Sequence, residues 1–189
     1  MSDPIYFSSE NLFRANALVQ NVFEETQLNG SRMNDRILYF AYGSNMSIER
    51  LSARVPSAEL ICVAALAGHR LRFHKPSKND GSGKCDAAHT GSPEDSVFGV
   101  LYSIQVNQLA ELDRFEGCVY GYERQTVAVH SGSNETFKAE TYIATHIDSR
   151  LRPLDWYKEH VLRGAKAAGL PSGHIALIES VVADVDSNV

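Results

Sequence analysis

Apolar and polar residues alternate in short segments between residues 36 and 145, and this period of two predicts β-strands. Apolar residues spaced three to four positions apart predict helices between and after these segments. We predict strands near 37–42, 60–65, 69–74, 97–104, 121–130 and 136–145. We predict helices near 46–53, 107–116, 154–168 and 173–182.

The last two predicted strands are separated only by residues 131–135, Ser-Gly-Ser-Asn-Glu, a sequence typical of a hairpin turn. Strands joined in this way pair antiparallel, so the sheet is at least partly antiparallel and the fold class is α+β. Residues 76–96 combine Gly and Pro with Ser, Asp and Lys, which predicts a long loop that is functional or mobile.

The first 35 residues differ from the rest, because their apolar residues recur only at helical spacing. These residues are Leu12, Ala15, Val19, Val22 and Phe23. We predict an amphipathic helix and linker over 1–35, one domain over 36–182 and a C-terminal tail over 183–189. An isolated helix of this length is marginal in water, so we expect its apolar stripe to pack on the domain or on the partner in a homodimer.

Composition is that of an ordinary globular protein, since 43% of the 189 residues are hydrophobic and 22% are charged. The net charge of −5 argues against nucleic acid as the main partner. A local basic cluster is interpreted either as a solvated strand and loop or as ligand contacts. Its members are His69, Arg70, Arg72, His74, Lys75, Lys78 and Lys84.

The three cysteines, Cys62, Cys85 and Cys118, form no C-x-x-C pair, so they imply no disulfide framework and fit a reducing cytosol. The N-terminus has neither the basic region nor the apolar run of a secretory signal. No segment has the length and apolar character needed to cross a bilayer. We therefore expect a cytoplasmic protein with no membrane partner.

The strand predicted at 37–42 stops abruptly at Gly43-Ser44-Asn45, and a helix is predicted just beyond. Gly43 permits a tight backbone, and the Ser and Asn residues that follow are types that cap helix N-termini. A strand-to-helix turn of small residues presents unpaired backbone N–H groups at the positive end of a helix dipole. This turn is a predicted site for a carboxylate or a phosphate.

The helix predicted at 107–116 has recognisable ends, since Asn107 is a plausible N-cap and Gly117 a plausible residue just past the C-terminus. Three of its charged residues point away from the apolar face and are expected to be ordinary surface charges. They are Glu111, Asp113 and Arg114.

A carboxylate shares the apolar face of this helix, because Leu109, Leu112 and Glu116 lie at i, i+3 and i+7. Desolvation and the negative end of the helix dipole both disfavour the charged form of Glu116, so its pKa should rise. A carboxyl group tuned towards neutrality suits general acid–base catalysis. The alternative is a structural glutamate at the rim of the core, whose head reaches water or caps a neighbouring N–H group.

Other groupings carry weaker signals. Tyr122 and Tyr142 on later strands are either packing residues or, near Glu116, donors of phenol hydroxyls to a polar substrate. His74, Cys85 and His89 have no second pair at zinc-site spacing, so no metal site is predicted. A cysteine nucleophile has no support beyond residue type, and residues 81–84 lack the spacing of a nucleotide-binding loop.

The two informative segments together resemble the γ-glutamylcyclotransferase-like family. They are Tyr42-Gly43-Ser44-Asn45 and the later Leu112-Asp113-Arg114-Phe115-Glu116-Gly117, with Tyr122 beyond. Three further segments agree with this resemblance: 73–75 leading into 81–84, Phe98-Gly99-Val100-Leu101-Tyr102, and 164–171 ending in Gly-Leu-Pro. The resemblance covers residues 36 to about 182 and implies the fold of that family, a mixed, largely antiparallel sheet or partial barrel with flanking helices.

The resemblance also implies roles for individual residues. The Gly43-Ser44-Asn45 turn would hold the α-carboxylate of a γ-glutamyl group through its N–H groups. Glu116 would take a proton from the α-ammonium, the freed amine would close a five-membered ring on the γ-carbonyl, and Glu116 would return the proton to the leaving group. The products are 5-oxoproline and a free amino acid or amine. Tyr42, Tyr122 and Tyr142 would contact the substrate, and the reaction requires no metal or other cofactor.

Two departures from the family pattern bear on the role of Tyr122 and on the substrate, in that order. Tyr122 follows Glu116 by six positions, a shorter spacing than in some cyclotransferases. Asn45 follows Ser44 where glutathione-specific relatives resemble Tyr-Gly-Ser-Leu, which argues against an enzyme restricted to glutathione. The leaving group stays open, and so do two alternatives: a non-catalytic module that binds a small carboxylate, and an amide hydrolase in which Glu116 activates water.

Overall fold

Seven strands lie in the part of the chain that the structure describes; five of them close into a barrel, and the other two form a separate hairpin. The computed structural model describes residues 36–118, 121–133 and 135–186. The strands are β1 (Arg36–Ala41), β2 (Glu59–Ala67), β3 (His69–Pro76), β4 (Gly83–His89), β5 (Ser96–Gln105), β6 (Tyr122–Ser131) and β7 (Thr136–Ala144). The helices are α1 (Ile48–Ser52), α2 (Leu109–Glu116), α3 (Asp155–Ala167) and α4 (Ser172–Ser180). The predicted helix within 1–35 and the last three residues of the predicted tail lie outside the described residues, and the proposed domain boundaries stay predictions.

The barrel is mostly antiparallel, with the strand order β1-β5-β2-β6-β7. It closes where β1 meets β7 in parallel, with Tyr39 opposite Glu140. β6 and β7 form the hairpin predicted from their turn, and their register runs from Tyr122 opposite Ala144 to His130 opposite Thr136. The predicted α+β class with a mixed, largely antiparallel barrel is therefore confirmed.

β1 lies in the core, and most of its residues are apolar on both faces of the strand. Tyr39, Phe40 and Ala41 are all buried, and β5 flanks β1 on one side over its whole length. The fully buried Leu101 and Tyr102 of β5 pack in the same core. Burial of large apolar side chains on neighbouring strands is the main favourable contribution to folding here.

One predicted loop contains a strand. Residues 76–96 were expected to be irregular, but β4 lies within them and pairs antiparallel with β3. Its sequence, Gly-Lys-Cys-Asp-Ala-Ala-His, contains no β-branched residue, so periodicity and propensity gave no strand signal. Burial of Cys85 and Ala87 in the hydrophobic core favours the strand instead.

The helix predicted at 46–53 is shorter than expected and is preceded by a turn. A 3₁₀ turn occupies Ser44–Met46, and α1 covers only Ile48–Ser52. Ser47 caps α1, since its side chain accepts a hydrogen bond from the backbone N–H of Arg50. The other three predicted helices lie within a few residues of their predicted bounds. None of the helices in the described ranges is long and apolar enough to cross a bilayer.

Candidate active site

A cavity opens at the end of β1, where the chain leaves the barrel. It encloses about 330 Å³ including the space at its mouth. Its lining comes from the end of β1 and the turn after it, from β4, β6 and β7, and from the helices α2 and α3. The lining residues are Tyr39, Tyr42, Gly43, Ser44, Asn45, Cys85, Glu116, Tyr122, Thr141, Tyr142 and Tyr157. All seven residues that the sequence singled out as a site therefore lie around one cavity.

The turn after β1 contributes backbone donors. Within the described part of the chain, the backbone N–H groups of Gly43, Ser44 and Asn45 donate to no acceptor, whereas that of Met46 donates to the carbonyl of Gly43 at 3.0 Å. The dipole of a five-residue helix is weak, so the sequence argument from a helix terminus does not hold here. The three N–H groups themselves remain suited to binding a carboxylate.

Glu116 is the last residue of α2, and the helix ends as predicted. Gly117 adopts a left-handed conformation with φ of +64°, which an L side chain rarely adopts. The N–H of Cys118 donates to the carbonyl of Asp113 at 2.9 Å, and that of Gly117 to Arg114 at 3.2 Å, a Schellman arrangement. The start of the helix was predicted wrongly, because Asn107 lies in a 3₁₀ turn and α2 begins at Leu109.

The environment of Glu116 raises its pKa. The side chain is 18% exposed, and this burial disfavours the charged form. Two neighbours lower the pKa of Glu116. They are the guanidinium of Arg54, whose Nη1 lies 3.9 Å from Oε1, and the amide of Asn45. Burial is the largest contribution, so the pKa of Glu116 lies above the ordinary glutamate value.

Asn45 connects the turn to this carboxylate. Its Nδ2 donates to Glu116 Oε1 at 2.8 Å and to the hydroxyl of Tyr39 at 3.1 Å. Its Oδ1 accepts a hydrogen bond from Nη1 of Arg54 at 3.0 Å, which fixes the orientation of the amide. Within the described residues Glu116 Oε2 has no hydrogen-bond partner, so that oxygen is available to a ligand in the cavity.

The three predicted tyrosines line the cavity with their hydroxyl protons already engaged. Tyr42 donates to the backbone carbonyl of Tyr142, and Tyr122 donates to that of Cys85 at 2.6 Å. Tyr142 donates to Oδ1 of Asp113 at 2.7 Å. A phenol oxygen that donates can still accept, so these hydroxyls suit a ligand that carries N–H groups.

The sequence suggested that Asp113 is an ordinary surface charge, and this prediction was wrong. Besides Tyr142, Asp113 binds Nη1 of Arg124 at 2.6 Å. The expectation for Glu111 and Arg114 was correct, since the two pair with each other at the surface of α2.

Four residues that line the cavity were not among the predicted site residues. Cys85, considered only as a metal ligand or nucleophile, lies on the strand that was not predicted, and Tyr157 lies on α3, far from the other site residues in sequence. The hydroxyl of Tyr157 accepts the backbone N–H of Cys85 at 3.2 Å. Tyr39 and Thr141 lie on strands that were predicted, and the resemblance to the family also pointed to Tyr39, beside Tyr42, as a substrate contact.

The weaker groupings do not assemble into a second site. Nε2 of His74 lies 2.8 Å from Oδ2 of Asp86, while the ring of His89 packs edge-on against His69. Burial raises the pKa of the Cys85 thiol to about 12, so it is not an activated nucleophile. In the ranges that the structure describes, no three His, Cys, Asp or Glu side chains converge to hold a metal ion.

Fold and cavity together define a class: an α+β barrel protein in which a buried carboxylate lies beside a turn of backbone donors. Comparison with known proteins narrows this class. The AIG2-like family model matches residues 96–177. A γ-glutamylcyclotransferase of Bos taurus is 33% identical over 159 residues, covering 80% of this chain and 81% of the relative. One of Homo sapiens is 34% identical over 145 residues, covering 72% and 74%.

A solved structure of a γ-glutamyl cyclotransferase superimposes with a TM-score of 0.74 at 30% identity, covering 81% of this chain and 95% of that one. The chain therefore belongs to the γ-glutamylcyclotransferase family, as its motifs suggested. Membership supports cyclotransferase activity on small γ-glutamyl compounds at the level of the family.

Proposed function

We propose that this protein is a γ-glutamyl cyclotransferase in which Glu116 is the general acid and base. The observation that supports this most is the 2.8 Å hydrogen bond from Asn45, a residue of the anion-binding turn, to Glu116. In a γ-glutamyl group the α-carboxylate and the α-ammonium share one carbon atom. A carboxylate bound by the turn therefore brings its ammonium close to Glu116.

The reaction begins with the substrate's α-carboxylate on the N–H groups of Gly43, Ser44 and Asn45. Glu116 Oε2 takes a proton from the α-ammonium, and the neutral amine attacks the γ-carbonyl carbon. The ring C–N bond forms as the amide C–N bond breaks. Glu116 returns its proton to the departing nitrogen. The ring nitrogen loses a second proton through the same carboxylate, so 5-oxoproline is released together with an ammonium ion of the leaving group.

The raised pKa of Glu116 supports this role. A pKa above the ordinary glutamate value brings the carboxyl group closer to the working pH, where a base can also return its proton as an acid. Nucleophile and electrophile belong to one molecule, so holding it in a reactive conformation supplies much of the acceleration. The rings of Tyr42, Tyr122 and Tyr142 would restrict the substrate to that conformation.

The test is to incubate the purified protein with γ-glutamyl dipeptides and γ-glutamyl amines and to measure 5-oxoproline. Glu116→Gln keeps the shape of the side chain and should lower kcat by about 100-fold or more. Glu111→Gln is the matched control, since Glu111 lies on the same helix and pairs with Arg114 at the surface. Full activity of Glu116→Gln would overturn the mechanism.

The products also separate the two alternatives. Free glutamate in place of 5-oxoproline would indicate a hydrolase, and ligand binding without turnover would indicate a binding module. The cytoplasmic location, the homodimer and the absence of a nucleic-acid partner stay predictions.

A further inference from the structure

Lys75 is a lysine beside the cavity that forms no ion pair within the described part of the chain. It lies near the end of β3 and is only 9% exposed. No hydrogen bond or ion pair from its ammonium group to a described residue is present. Its partner across the β3–β4 register, Lys84, differs in this respect, because its Nζ binds Oδ2 of Asp80 at 2.9 Å.

The surroundings of Lys75 place its ammonium next to the candidate active site. Nζ lies 4.8 Å from the centroid of the Tyr122 ring, and Tyr122 lines the cavity. A Cβ atom at position 121 would lie 2.9 Å from Nζ and 2.7 Å from Cε, so Gly121 leaves the space that the lysine occupies. Burial lowers the pKa of Lys75, and the negative charge of Glu116 opposes this effect without reversing it.

A buried ammonium group without an ion pair destabilises the folded protein. Attraction to one aromatic face recovers only a small part of the hydration that a buried ammonium loses. Arg54, another cation near Glu116, already donates to Asn45. An anion that arrives with the ligand would give Lys75 the ion-pair partner that the described residues do not supply. A γ-glutamyl amino acid carries two carboxylates, and the turn at 43–45 accounts for one of them.

We propose that Lys75 forms a second carboxylate subsite, which binds the carboxylate of the leaving amino acid. This inference rests on the proposed function, since it assigns the other end of the same substrate. Lys75 is then a specificity-determining residue, and compounds whose leaving group lacks a carboxylate bind less tightly than their amino acid counterparts.

The experiment compares two substrates that differ only in this group, γ-glutamylalanine and γ-glutamylethylamine. Lys75→Met keeps the length and apolar stem of the side chain and removes the charge. We expect kcat/KM for γ-glutamylalanine to fall about 10-fold or more, mainly through KM, because a charge-assisted hydrogen bond is lost. Activity on γ-glutamylethylamine should change less than about twofold. Arg72→Met is the control, since Arg72 is exposed on the same strand.

Four other results would overturn the inference or the proposed reaction. Equal losses on both substrates would overturn the inference, since Lys75 would then act on the α-carboxylate or on Glu116, and so would unchanged activity on both. The melting temperature of Lys75→Met should rise or stay constant, because an unpaired buried charge is removed, and a fall would indicate a structural lysine. If the wild type makes no 5-oxoproline from either compound, the proposed reaction fails, and calorimetric affinities of wild type and Lys75→Met for the same two compounds decide the subsite.

Discussion

The hydrogen bond from Asn45 to Glu116 should set the pH at which the protein becomes active. The bond favours the charged form of the carboxylate, so its removal in Asn45→Ala raises the pKa of Glu116 further. A hydrogen bond to a charged group contributes about 1.5–3 kcal/mol, equivalent to about one to two pKa units. Part of this shift is offset, because Arg54 is released from Asn45 and already lies 3.9 Å from Oε1. We therefore expect an upward shift of about one unit.

The assay is the pH dependence of kcat/KM for 5-oxoproline formation from γ-glutamylalanine. A general base must be ionised to act, so a higher pKa moves the acid limb of the profile to higher pH by about one unit. The ¹³C chemical shift of the Glu116 carboxyl carbon, followed over the same pH range, reports the ionisation without requiring turnover. Asn79→Ala is the control, because Asn79 is exposed in the turn between β3 and β4.

An acid limb and a carboxyl titration that stay at their wild-type positions in folded Asn45→Ala would refute this reasoning. A shift to lower pH would refute it as well, since that outcome requires Asn45 to disfavour the ionised carboxylate. A carboxyl titration that shifts while the activity profile stays unchanged would confirm the effect of the hydrogen bond on the pKa of Glu116. It would also show that Glu116 is not the general base.

Three further predictions concern stability. Because burial raises the pKa of Glu116 above 4.5, ionisation destabilises the fold as pH rises past that value, so Glu116→Gln should melt higher than wild type at pH 8 and not at pH 3. Gly164→Ala should cost about 1–3 kcal/mol in urea unfolding, since its Cβ would lie 3.0 Å from Cβ of Met46. The matched control for this variant is Gly173→Ala, whose Cβ meets nothing within 4 Å and which should stabilise by about 0.5–1 kcal/mol. His174 is buried with a pKa of about 4, so stability should fall by up to about 3 kcal/mol as pH drops from 6.5 to 4, and His174→Leu should abolish that dependence.

Each of these predictions has a contradicting result. Equal melting of Glu116→Gln and wild type at pH 8 would mean that the ionised carboxylate is fully compensated by its neighbours. Stabilisation by Gly164→Ala would mean that α3 can move away from the Ser44–Met46 turn at no cost. A pH dependence that persists in His174→Leu would assign it to other titrating groups.

The end of α2 shows what local sequence patterns can predict. Gly117 is a helix terminator because only its backbone conformation is involved, and the spacing of Leu112 and Glu116 follows from the geometry of one helix. The β6–β7 hairpin was predictable for the same reason, since its strands are joined by a short polar turn. In these cases the deciding interactions lie within a few residues.

The features that were missed depend on contacts between distant parts of the chain. β4 forms because β3 offers it a partner and because Ala87 becomes buried, although the sequence of β4 resembles a loop. Asp113 looks like a surface charge until barrel closure brings Tyr142 and Arg124 to it. Tyr157 reaches the cavity only through the packing of α3 against the turn after β1.

The position of the cavity explains why its residues should matter for both activity and stability. It lies where β1 leaves the barrel, beside the parallel seam that β1 forms with β7. Across this seam Tyr42 donates to the backbone of Tyr142, and the hydroxyl of Thr141 donates to the carbonyl of Phe40 at 2.9 Å. The same residues therefore hold the barrel closed and shape the cavity. A substitution such as Tyr42→Phe, which removes one of these bonds and keeps the ring, should lower stability by about 1 kcal/mol and loosen the site together with the seam.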